Sequence, residues 1–145
     1  MILSAQQMFS DDQAVTATAV STNVIDLGVA ATPYGAVAPL NNDKGKGANV
    51  PVLIQVTEDF ATLTSLTVTL EVSAAAGLTS PKVLATETIL VADLVAGKQT
   101  HVQVLPNGAD MRYLGVRYTV NGSNATAGKI TAAIIMGNQT NVTGA

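Results

Sequence analysis

The side chains whose type and spacing come nearest to acid–base chemistry are two adjacent carboxylate pairs, Asp11-Asp12 and Glu58-Asp59, and a single histidine, His101. A carboxylate pair works on a substrate only when both groups converge on one bond. Neighbours on an extended strand point to opposite faces, so adjacency does not bring them together. Asp11 and Asp12 fit a turn after Phe9, and Glu58-Asp59 fits a strand end where acids mark the exit to solvent. His101 precedes Val102 in an alternating run, and no Ser or Asp motif offers it a triad. One histidine and no cysteine leave no usual zinc ligand set within one chain. Asn41 to Gly47 superficially resembles the start of a calcium loop, but the twelfth position is Val52 instead of the bidentate Glu required. Gly45-Lys46-Gly47 lacks the Gly-Lys-Ser/Thr and following helix of a phosphate cradle. Sugar platforms are poorly supplied, with only Phe9, Phe60, Tyr34, Tyr113 and Tyr118 and no tryptophan. The chain is therefore not expected to be an enzyme, and no catalytic residue, cofactor or metal is expected.

What would position such residues is a β-sheet. Leu66, Val68, Leu70 and Val72 interleave with Thr67, Thr69 and Glu71, and Leu114, Val116, Tyr118 and Val120 with Gly115, Arg117 and Thr119. Ile130, Ala132, Ile134 and Met136 continue the pattern. A period of two puts one set of side chains on each face of a strand, and β-branched residues suit that half-buried surface. Strands are expected at Val50–Glu58, Leu63–Ser73, Val83–Val91, Gln99–Leu105, Arg112–Val120 and Lys129–Met136, after an N-terminal stretch at Ala14–Ser21 and Asn23–Leu27. Ala92–Gly97 reads as a turn or one helical turn. Pro106-Asn107-Gly108 and Asn121-Gly122 carry tight-turn chemistry. About eight strands at this spacing predict an all-β fold, an antiparallel two-sheet sandwich or jelly roll. Leu66, Val68, Leu70, Val116, Tyr118, Ile130 and Ile134 are the expected core.

At 145 residues the chain is expected to form one domain, 1–145, with an N-terminal arm over 1–12 and a long loop over 28–49. Charged residues are only 12%, with 48% hydrophobic residues, so an ordinary charged surface is not available. Such a surface tends to associate. A net charge of −3 and scattered basic residues argue against nucleic acid as a partner. Met1–Ser10 lacks the basic and apolar regions of a signal peptide, and Leu27–Leu40 is too short and too broken by Pro33, Gly35 and Pro39 to span a membrane. The Asn-x-Ser/Thr triplets at Asn121, Asn124, Asn138 and Asn141 then read as polar loops.

The run Met8-Phe9-Ser10-Asp11-Asp12-Gln13-Ala14-Val15-Thr16-Ala17-Thr18, continuing through Ser21-Thr22-Asn23-Val24-Ile25-Asp26-Leu27-Gly28, is distinctive. With Asp93–Gly97, Arg112–Val120 and Thr126–Ala132 in order, it resembles the small capsid cement (decoration) proteins of tailed bacteriophages, typified by the cement protein of a Bordetella podophage. The chain departs from that pattern in a longer Ala31–Asn42 region and in Ala74-Ala75-Ala76-Gly77. The resemblance implies a jelly-roll subunit on the outer surface of an icosahedral capsid, made in the host cytoplasm, that bridges neighbouring major capsid proteins. It supplies no catalytic residues.

The expected partners are the major capsid protein and further copies of the chain, a dimer favoured over a trimer, with no nucleic acid and no membrane. Candidate intersubunit or capsid contacts are Ile2, Leu3, Met8 and Phe9, four apolar side chains ahead of the first alternating region, and Asn41, Asp43, Lys44 and Lys46 in the long loop. The N-terminal four are expected to dock either on the chain's own sandwich or on a neighbour. The alternative function is a carbohydrate- or receptor-binding β-sandwich module of a virion appendage. A self-assembling major shell subunit fits less well, because such subunits are longer and mixed α/β.

Overall fold

The computed structural model describes residues 3–40, 43–46, 49–102 and 104–137, without the side chain of His101. Seven strands are present among them: β1 (Met8–Ala14), β2 (Ala19–Val20), β3 (Ile25–Asp26), β4 (Val52–Ser73), β5 (Lys82–Leu90), β6 (Gln99–Val102) and β7 (Tyr113–Ile134). Short 3-10 turns at Ala5–Gln7 and Val91–Asp93 precede β1 and follow β5. Every pairing is antiparallel.

Two 22-residue strands, β4 and β7, pair with each other from Val52↔Ile134 to Ser73↔Tyr113 and organise everything else. The first part of β4 pairs with β6 and the later part with β5. The far edge of β7 takes β3 and β2 along its first part and β1 along its last. One continuous ladder thus carries two four-deep layers, and it folds over in the middle so that their apolar faces meet. Val52 and Ile54 from one layer line a small void of about 50 Å³ together with Val68, Leu70 and Val116 from the other.

The fold-over has a local cause. Register shifts crowd into β4 between Val56 and Ser65, opposite Gly122–Lys129 of β7. Thr62 there has φ of 76°, costly for a β-branched residue. Its hydroxyl holds the conformation by donating to Asn124 O at 2.7 Å and accepting from Thr126 N at 3.1 Å. Across from it, Gly128 has φ of 134°, and a Cβ at this position would lie 2.3 Å from the Phe60 ring. Bulges of this kind bend and twist a strand without ending its pairing.

The expected core residues Leu66, Val68, Leu70, Val116, Tyr118 and Ile130 are all buried, and Ile134 packs against them half-buried. The expected breaks at 59–62 and 121–128 are bends inside single strands, which removes two of about eight anticipated strands, and β1, where Asp11-Asp12 were expected to make a turn, adds one, leaving seven. Asn121-Gly122 does use glycine's positive φ (86°), but β4 bends in step and the ladder continues. Val91–Asp93 supplies the single helical turn expected near Ala92.

The open side of the sandwich, between β1 and the β2–β3 segment, is laced by polar groups. Asn23 donates from its backbone to Phe9 O at 2.9 Å and from its side chain to Met8 O at 2.7 Å. Gln13 accepts from Thr22 N and donates to Val20 O. Ser10 meets the Tyr118 hydroxyl at 2.8 Å inside the core, and burial pushes that phenol well above its ordinary pKa. Each buried polar group on this seam has a partner, as a stable interior requires.

Candidate docking surface

Of the titratable groups singled out in the sequence, Asp12, Glu58 and Asp59 are used structurally. Asp12 and Glu58 both face Lys129, at 3.7 and 2.9 Å, and form a strut across β1, β7 and β4. The Glu58 carboxylate, with help from Asp12, holds the Lys129 amine above its usual pKa. Asp59 accepts from Ala96 N at 2.6 Å and fixes the turn before β6. Asp11 is exposed, and the backbone of His101 pairs with Leu53. No group of three or more metal-binding side chains occurs among the described residues. No helix among the described residues is long and apolar enough to cross a membrane.

Surface chemistry of a different kind is concentrated in residues 28–40. Every residue of this stretch is exposed, and none is charged. Val29 and Leu40 are 71% and 62% exposed, and Tyr34 and Val37 wholly so. Leaving a side chain of this size in water instead of burying it costs about 1.5–3 kcal/mol. The stretch keeps a shape of its own through Ala36 N to Pro33 O and Leu40 N to Ala31 O, both 3.0 Å. It is an apolar arm whose large side chains are mostly or wholly open to solvent.

Both ends of that arm are stapled to one segment, 106–113. At the near end the Asp26 carboxylate takes Arg112 bidentately, with Nη2 at 2.7 Å and Nε at 3.0 Å, and also accepts from Gly28 N at 2.9 Å. Leu27 N donates to Arg112 O at 2.7 Å, and the guanidinium lies 5.0 Å from the Tyr113 ring centroid. At the far end Asp43 accepts from Gly108 N at 2.8 Å and Gly45 N at 3.0 Å, while Lys44 N donates to Ala109 O. Gly45 is required there, since a Cβ would fall 2.0 Å from Pro106 O. The Arg112 hydrogen bond lowers the Asp26 pKa first and the Gly28 N–H second. For Asp43 the Gly108 N–H is the leading cause of the same shift.

A second surface lies beside the near staple. An open groove of about 660 Å³ runs between residues 5–11 and 22–26. Met8, Val24 and Ile25, half-buried, give it an apolar floor, and Gln6, Gln7 and Asn23 give it amide groups.

The residues expected to make contacts are distributed unevenly over this picture. Residues 8–12 of the expected N-terminal arm lie in β1, and Phe9 is fully buried in the chain's own core. Met8 lines the groove, and Leu3 is half-buried. Ile2 and Asn41 lie outside the described residues. Asp43 is a latch, with Lys44 and Lys46 exposed beside it. Tyr34 and Val37 were not singled out as contacts, although an apolar, uncharged run broken by two prolines is itself the signal of an undocked loop.

Comparison with known proteins gives one family. The family described as Bbp16 matches over residues 9–134. No curated protein matches the chain. Among solved structures, the crystal structure of PirA is similar with a TM-score of 0.47 and 14% identity, over 88% of this chain and 94% of that one. A likeness that weak carries no argument about function.

Proposed function

The chain belongs to the Bbp16 family, a phage-related one by its name, and from that premise we propose that it is a capsid cement protein. In this reading it sits on the outside of an icosahedral shell and ties adjacent major capsid subunits against the pressure of packaged DNA. The observation that carries the proposal is the uncharged arm over 28–40, held out on two carboxylate staples. Large exposed apolar surface on a folded domain marks an association site, and a cementing subunit associates both with capsid subunits and with sister copies. Glu58, Asp59 and Asp43 are engaged in struts and latches, which supports recognition as the work of this surface.

Binding available only on the assembled shell stabilises that state by mass action. Repetition over a lattice multiplies modest contacts, so an ordinary interface of about 800 Å² per side suffices. The test is co-sedimentation of the purified chain with empty mature capsids of its phage. Saturable binding, together with a higher rupture temperature of the decorated shells, is the expected result. Failure to pellet with either immature or mature shells would remove the reading.

A further inference from the structure

Two surfaces lack a counterpart among the described residues, and their chemistry matches. The arm offers Val29, Tyr34, Val37 and Leu40 on an uncharged backbone. The groove offers an apolar floor with amide side chains at its rim, able to serve the solvated backbone groups of such a segment. The arm does not fill the groove of its own chain, because its residues are exposed and its root is clamped to Arg112. We propose that the arm of one copy occupies the groove of a second copy, and that the exchange is reciprocal.

Placement favours reciprocity. Asp26 is both the last residue lining the groove and the anchor from which the arm departs, so arm and groove are neighbours on one face. A two-fold axis beside that point lays each arm across the other copy, the self-complementary arrangement of closed dimers. Arm and groove together commit about two dozen residues from each copy, in the range of about 20–30 a side for a stable interface. The groove's acids, Asp11 and Asp26, meet a segment that brings no charge to repel them. Pro33, Pro39 and the arm's own two hydrogen bonds fix its shape beforehand, which lowers the ordering cost of docking. The pairing rests on the cementing reading for its purpose, since a clamp needs two linked grips. Its test needs no shell.

Sedimentation velocity of the full chain at micromolar concentration should show a dimer. The double variant Tyr34→Asp/Val37→Asp removes the arm's apolar contacts and should run as a monomer with an unchanged far-UV circular dichroism spectrum. Ala5→Trp, which fills one end of the groove, should do the same; if it alters that spectrum, Gln7→Arg replaces it. An equimolar mixture of arm and groove variants should regain a heterodimer at higher protein concentration, because one intact arm then meets one intact groove. A monomeric wild type, an arm variant that still dimerises, or a mixture that stays monomeric would each overturn the proposal. Capsid co-sedimentation reports separately: a dimer that ignores shells removes the cementing reading and leaves the exchange standing, and a shell-binding monomer does the reverse.

Discussion

Arg117 reaches across the outer face of the sheet to Glu71 at 3.0 Å and donates to Leu78 O at 2.9 Å, and the Glu71 side chain is only 4% exposed. Removing the cation while leaving the carboxylate buried is the expensive way to break such a pair. Arg117→Met should therefore cost about 3–5 kcal/mol in urea denaturation, and Arg117→Met/Glu71→Leu should recover most of it. The arm's two latches behave differently because they are solvent-facing. Asp26 and Asp43 have folded pKa values below the ordinary 3.8, so their contribution is present above that value and lost as pH falls through the lowered one. Carboxyl NMR titration should place both midpoints below 3.8, with the arm's roots held throughout the neutral range. These roles were hidden in the sequence. Asp43 sat in a loop whose composition suggested a contact, and its partner Gly108 is 65 residues away. Nothing local announces that the carboxylate holds a turn.

Alternation made the individual faces of β4 and β7 legible, and the inward set was read correctly at Leu66, Val68, Leu70, Val116 and Tyr118. Their continuity was not legible. Glu58-Asp59 and Asn121-Gly122 carry the polarity and glycine of strand ends, yet each lies inside a bend whose partner strand bends with it. Local chemistry predicts where a strand kinks; only the partner decides whether pairing survives the kink. Gly128→Ala tests the bend directly, because both φ of 134° and the Phe60 ring exclude a Cβ. A loss of about 1–3 kcal/mol is expected from overpacking alone, with strain added, and a shorter side chain at Phe60 should return part of it. Leu70→Ala, beside the existing void, should cost about 2–5 kcal/mol and enlarge that void without altering the strand pairing.

At the scale of the whole molecule, nearly every pairing is distant in sequence: Val52 meets Ile134, and Met8 meets Ala133. Loops of that length must close before any contact repays them, so refolding should take milliseconds to seconds. Stopped-flow dilution from urea checks this, and a microsecond phase carrying the full amplitude would contradict it. The arm takes no part in that core, and replacing residues 29–40 with a Gly/Ser linker should leave the thermal midpoint within a few degrees. The shared β4–β7 ladder has a last, mechanical consequence. Both layers hang on the same two strands, so neither can peel away while the other stays folded. A tug along those strands loads the whole row of hydrogen bonds in shear, whereas a tug across them would open the row one bond at a time. A subunit anchored so that tension runs lengthwise through β4 and β7 should yield as a single unit, and only at high force.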